Sequence, residues 1–249
     1  AFKAKYGYDL AAPVTWDQYY DIAEFFNQPD KGLNGTAEAY KRGGQQFWYF
    51  FSHAASYANN PNNPGSMFFD PETMDAQINN PGWLKALEAY KKGLDFNPPG
   101  SLNNGSGDVR PLYAGGKVAM NIDWADSGVL GATEGSIKGN VRTAVLPGST
   151  EIWNHKTKAW DKFENPVASP FLAFGGWQLA VPADSKNAEA AWSFVADVTS
   201  PEVSGKAIVT ANTGVNPYRL SHYENVANWS AIFSEVEATS YLAAQRASL

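Results

Sequence analysis

Cysteine is missing from all 249 residues. That removes disulfides, thiolate metal sites and a cysteine nucleophile. It is compatible with an oxidising compartment, where a free thiol is a liability. No run of 18 or more apolar residues occurs, so no membrane-crossing helix is predicted. Ala1 to Leu10 has no apolar core of the kind a secretory leader carries. The chain is therefore expected either to be cytoplasmic or to have lost a leader. Basic clusters are lacking too: the net charge is −6 and Lys41-Arg42 is the nearest approach to one. Nucleic acid is not an expected partner. Gly115-Gly116-Lys117 lacks the earlier glycine and the spacing of a phosphate-binding loop. His53, His155 and His222 neither cluster nor form an H-x-x-x-H pair, so nothing points to a metal site or a Ser-His-Asp triad. No cofactor and no metal are expected.

What the chain does have is aromatic surface. Phe, Trp and Tyr make up 14% of it, with nine tryptophans. Aromatic faces beside amide and carboxylate groups suit a ligand with apolar C–H faces and many hydroxyls. Core filling accounts for the same aromatics and is the simpler reading of composition alone. The 44% apolar content is that of a globular protein with a real core.

The local pattern gives an α/β class. Thr15 reads as an N-cap with Asp17 in the first turn, and Trp16, Tyr19, Tyr20, Ala23 and Phe26 recur at helical spacing. A short strand follows the loop at Gly32. Gln45 to Ala58 reads as a helix buried on most sides. Pro81-Gly82 opens a helix over Trp83 to Gly93, with Leu84, Leu87 and Tyr90 facing inward and Gly93 just past its end. A turn or two of helix over Val109 to Ala114 leads to a strand at Val118 to Ile122. Strands are also predicted at Val141 to Leu146 and Gly176 to Val181. Glu151 to Pro166 reads as an irregular excursion or hairpin. Helices are predicted at Asn187 to Val198 and at Ser200 to Ala211, the latter with Ser200 as cap and Pro201 at its first position. Two helical stretches finish the chain.

Four segments, in order, resemble the family 1 extracellular solute-binding proteins, the group of maltose-binding protein and its sugar, polyol and glycerol-phosphate relatives. They are "YGYDLAAPVTWDQYYDIAEFF" at the start and "YAGGKVAMNIDWAD" over Tyr113 to Asp126. "GGWQLAVPADSKNAEAAW" follows over Gly175 to Trp192, then the Ser200 helix leading to "TGVNPYR". Each is degenerate, but the ordered set spans nearly the whole chain. The resemblance implies a type II periplasmic-binding-protein-like fold, with one complete lobe and part of the other. Residues 1–147 would begin the second lobe, 148–167 an excursion, 168–213 a visit to the first lobe, and 214–249 the return. The first-lobe start usual in the family is missing, so the chain is read as a partial one.

The same resemblance implies a monomeric, periplasmic binding protein that hands a sugar or polyol to the membrane subunits of an ABC permease and is not an enzyme. Whether the parent carries a lipid anchor stays open. Trp124 and Asp123, at the end of a strand, are candidates to stack on a sugar face and accept hydroxyl hydrogen bonds. Trp48 and Tyr49 begin a helix that faces the cleft in the family. Gly176 allows close backbone approach, and Trp177 follows it. Tyr218 and Arg219 lie in the "TGVNPYR" loop, where Arg219 offers a bidentate donor. Each has a bland alternative: core packing for the aromatics, a helix cap for Asp123, an ion pair for Arg219. The rival function is a carbohydrate-active enzyme drawing an acid–base pair from Asp70, Asp123, Asp126 and Glu134.

Overall fold

The computed structural model describes all residues except 134, 171–175 and 211–212. Helix α1 (Phe2–Tyr6) and α2 (Trp16–Phe26) precede strand β1 (Asn34–Ala37). Helices α3 (Gln46–Ala58), α4 (Pro81–Gly93) and α5 (Ser106–Ala114) lead to β2 (Val118–Asn121) and α6 (Asp126–Thr133). The hairpin β3 (Ser149–Asn154) and β4 (Ala159–Val167) is followed by α7 (Ala188–Val198), α8 (Pro201–Ala207) and α9 (Glu235–Ala247). β1 and β2 pair in parallel, Thr36 opposite Met120, and β3 and β4 pair antiparallel, Trp153 opposite Trp160.

Local chemistry sets several boundaries. Thr15 caps α2: its hydroxyl accepts the Gln18 amide at 3.2 Å, while the Gln18 side chain accepts the Val14 amide at 2.9 Å. Ser200 caps α8 in the same way, through the Val203 amide at 3.2 Å. α8 is shorter than its sequence suggests. The Ala207 carbonyl accepts the Thr210 amide and the Thr213 hydroxyl instead of continuing the helical ladder. α5 begins earlier than predicted, because the Asp108 carboxylate accepts the Gly105 amide at 2.9 Å and fixes the first turn there.

Two hydrophobic clusters form. The larger packs α2, α3, α4 and α5 around the β1–β2 pair, with Trp16, Tyr19, Tyr49, Trp83 and Tyr90 at its centre. Within it His53 and Glu38 are fully buried and bonded at 2.8 Å, the imidazole stacked on Trp16 at 3.8 Å. His53 is thus a core histidine. The second cluster joins α6, α8 and α9 through Ile208, Trp229, Phe233 and Tyr241.

Four further expectations change. α4 buries Trp83, Ala86, Tyr90 and Gly93, and leaves Leu84 and Leu87 half exposed. The aromatics set its rotation. The Trp83 indole must reach the Met67 carbonyl and the Tyr90 hydroxyl the Ala39 carbonyl, and Gly82 faces the Tyr57 carbonyl at a distance that admits no side chain. Gly93 lies within the helix, not beyond it, at φ −55. A Cβ there would come within 2.5 Å of the Tyr40 hydroxyl. Val141 to Leu146 forms no strand. Its amides go to α9 side chains: Val141 to Glu237 at 2.9 Å and Thr143 to Ser240 at 3.4 Å. Residues 176–181 form no strand either, since no described strand lies alongside to receive their amides.

Candidate functional site

In a parallel pair the loops beyond the strand C-termini gather on one side, and ligand crevices form there. β2 ends at Asn121, and the chain passes through Ile122 into Asp123 and Trp124 before α6 starts at Asp126. α5 and β2 are joined by a tight turn at Gly115-Gly116 and contact each other. A helix rises 1.5 Å per residue and a strand about 3.3 Å. From Arg110 to the end of α5 is about 6 Å, and from Val118 to Asn121 about 10 Å back, so the chain passes the level of Arg110 within β2, and the long Arg110 side chain reaches along it to Asp123 and Asp126. The guanidinium bridges both acids. Nε donates to Asp123 Oδ2 at 2.9 Å, and the two terminal nitrogens donate to Asp126 Oδ2 and Oδ1 at 2.9 and 3.1 Å.

Asp123 is the buried partner, its side chain 1% exposed against 20% for Asp126. Its Oδ1 accepts the Trp124 amide at 2.8 Å and the Tyr49 hydroxyl at 3.1 Å. Burial raises the Asp123 pKa. Arg110 and these hydrogen bonds pull it back, and the balance is about 6. Burial opposes the charge on Arg110, but Asp123 and Asp126 outweigh it and hold the guanidinium above its ordinary value. Burial and the neighbouring Asp123 charge push the Tyr49 phenol well up. Trp124 is half-buried, with the Arg110 guanidinium 5.9 Å from its ring centre and the Tyr49 ring edge-on at 6.0 Å. A cavity of about 250 Å³ adjoins the cluster, lined by Arg110, Asp126, Leu130, Ile208, Thr213 and Gly214 among others. Gly214 adopts φ +64, which a side chain would disfavour. Guanidinium donors, the Asp126 carboxylate and an apolar wall line this cavity, with the Trp124 ring beside the guanidinium rather than in the lining, and the set suits a small polyhydroxylated ligand.

A larger hollow of about 440 Å³ lies at the opposite ends of the strands, beside Asn34 and the Pro98-Pro99 turn. Its amides are already engaged. Asn27 accepts from Gly35 and Asn34, and Asn97 bonds Glu38 and Gly93. It offers less polar chemistry than its size suggests.

Of the candidate residues, Tyr49, Asp123 and Trp124 come into mutual contact. Trp48 is half-buried, against Phe47 at 4.5 Å and Phe51 at 6.0 Å. Gly176 has φ +116 and Trp177 is 97% exposed; Gly175 lies outside the described residues. Tyr218 is half exposed. Arg219 lies 5.5 Å from its ring centre and donates to the Thr199 carbonyl beyond α7. The Arg219 anchor is therefore a backbone carbonyl rather than a carboxylate. His222 accepts the Tyr218 amide at Nδ1 (3.3 Å), so Nε2 carries the proton and donates to Ser204 at 3.3 Å, the wrong tautomer to activate a serine. Sequence reasoning missed Arg110. The one available signal was the Asp123–Asp126 spacing, which lets two carboxylates share a cation supplied by a neighbouring element.

Comparison with known proteins agrees with this architecture. A solute-binding protein from Agrobacterium vitis with bound D-mannitol superposes with a TM-score of 0.66 at 22% identity, over 98% of this chain and 54% of that one. One from Thermotoga lettingae with bound α-D-tagatose gives 0.63 at 21%, over 99% and 62%. The fold is thus the type II periplasmic-binding-protein-like one. The chain belongs to the bacterial extracellular solute-binding protein family, whose model matches residues 1–204. A probable ABC transporter-binding protein of Deinococcus radiodurans is 26% identical over 223 residues, 89% of this chain and 48% of that protein. A mannitol-binding protein of Pseudomonas aeruginosa is 28% identical over 203 residues, 81% and 42%. The chain spans about half the length of these curated relatives.

Membership places the chain among extracytoplasmic solute-binding proteins and not among enzymes. The acid–base reading is accordingly set aside. Asp123 and Asp126 are committed to one guanidinium, and Asp70 to His155 at 3.0 Å and to the Glu72 and Thr73 amides. Glu134 lies outside the described residues. No described helix is long and apolar enough to cross a membrane.

Proposed function

We propose that the parent protein is the substrate-binding component of an ABC importer, binding a sugar or polyol between two lobes in the periplasm and delivering it, as a monomer, to the membrane permease. The observation that carries this is the Asp123–Arg110–Asp126 cluster beside Trp124, at a strand end and over a cavity. The mannitol and tagatose held by the fold relatives, and the mannitol-binding relative, support the ligand class. Residues 1–147 and 214–249 form the second lobe in this reading, with the 148–167 hairpin as an excursion and 168–213 belonging to the first. The packing of α7 supports that division: an apolar helix with no buried residue has the composition of one that another lobe covers. Trp48, Gly176, Trp177, Tyr218 and Arg219 remain proposed cleft residues. The ligand favours the closed arrangement because only there do both lobes touch it, so binding shifts the open–closed population.

The test is a tryptophan-fluorescence titration of the full-length protein with sugars and polyols. A saturable response is expected, and Trp124→Ala should weaken binding on the order of tenfold or more through loss of the stacking face. A full-length protein that responds to no polyhydroxyl compound would overturn the reading.

A further inference from the structure

Arg110 is the one cation of the Asp123–Arg110–Asp126 cluster, and how its donors are spent bears on which ligand the cluster accepts. A guanidinium has five N–H groups in a planar fork that matches a carboxylate or a phosphate. Three of them are engaged here by carboxylates. Asp126 occupies the outer edge of the fork, formed by the two terminal nitrogens, which is one of the two edges able to grip a phosphate with a pair of bonds. Asp123 holds Nε from the buried side. With both acids ionised the cluster carries one excess negative charge, and a third anion would have to displace Asp126 or sit against that charge. Asp126, the more exposed of the two acids, presents carboxylate oxygens to the cavity instead, and these accept from hydroxyl groups. Among the described residues lining the adjoining cavity Arg110 is the sole cation, and Leu130, Ile208 and Val215 give it an apolar wall.

We propose that Asp126, by occupying the outer edge of Arg110 while Asp123 takes Nε of the other edge, restricts this site to uncharged polyhydroxyl ligands and excludes their phosphorylated forms. This rests on the binding reading above. Asp126 then acts as a specificity determinant through Arg110. Its removal should do more than weaken binding. It should free a guanidinium that stays anchored through Nε to Asp123, and so turn the site toward anions.

Calorimetry on the full-length protein tests this, with D-mannitol and D-mannitol 1-phosphate, and D-tagatose and its 6-phosphate, as paired probes. The wild type is expected to bind a neutral member at least about 100-fold more tightly than its phosphate. Asp126→Ala and, separately, Asp126→Asn should narrow that gap at least about tenfold, chiefly by improved phosphate binding. Arg110→Met on the Asp126→Ala background should reopen it. Equal wild-type affinity for a neutral compound and its phosphate overturns the selectivity while leaving the binding function intact, and that comparison needs no variant to fold. A gap left unchanged in both Asp126 variants overturns the role of Asp126. A wild type that takes neither form of any probe overturns the binding reading and this inference with it.

Discussion

At Asp123 burial and pairing act in opposite directions. Burial pushes the carboxyl up, and Arg110, the Trp124 amide and the Tyr49 hydroxyl pull it back, to about 6. An unfolded aspartate titrates near 3.9. Between those values the folded state binds more protons than the unfolded state, so the free energy of unfolding falls as pH rises. The contribution is fully present below about pH 4 and lost once pH passes about 6. Its size is on the order of 3 kcal/mol at most. Asp123→Asn cannot titrate. Denaturant unfolding from pH 4 to 7 should show the wild type losing about 1–3 kcal/mol relative to that variant. A pH-independent difference would mean that Asp123 ionises as an ordinary surface acid does. Ligand affinity should also drop in acid below about 6, where Asp123 gains a proton and loses its ion pair with Arg110.

Among the elements, the approach of β1 to α2 is set by a missing side chain. A Cβ on Gly35 would lie 2.2 Å from the Ala23 carbonyl oxygen, a backbone atom that cannot swing away. Gly35→Ala must therefore push β1 off α2, and β1 leads directly into the buried Glu38. A loss of about 1–3 kcal/mol, read as a lowered thermal midpoint, is expected. An unchanged midpoint would show that the two elements are less tightly opposed. Contacts between elements also explain why α2 follows its sequence pattern and α4 departs from its own. α2 has its large residues at a single helical phase and a threonine at its start, and both signals are local. α4 has leucines on one phase and aromatics on another. The aromatics win because their polar tips need the Met67 and Ala39 carbonyls, which belong to other elements.

For the molecule as a whole, α7 is the exception. It is apolar, it has no buried residue, and Trp192 and Phe194 are more than half exposed. An eleven-residue helix without a packed face is marginal in water. In the 249-residue chain its amides should exchange at least about tenfold faster than those of α3, which lies in the core. In the full-length protein they should be protected, if 168–213 belongs to the first lobe. Equal protection of α7 and α3 in the shorter chain would remove the support this helix gives to the two-lobe division.

The sequence by itself determined the elements that local chemistry encodes: the Thr15 and Ser200 caps, the Pro81 and Pro201 helix starts, the Val118 strand and the α/β class. Its four ordered segments also determined the family, and it placed Asp123 and Trp124 at a strand end. Tertiary structure decided what depends on partners distant in sequence. Val141 to Leu146 is not a strand, because α9, nearly a hundred residues on, supplies acceptors for its amides. Arg110 joins Asp123 and Asp126, because a helix and a strand fold back on each other and bring one long side chain within reach of both acids. Caps and periodicity act between residues a few positions apart and so can be read along the chain. Ion pairs across elements depend on packing geometry, which only the folded chain sets.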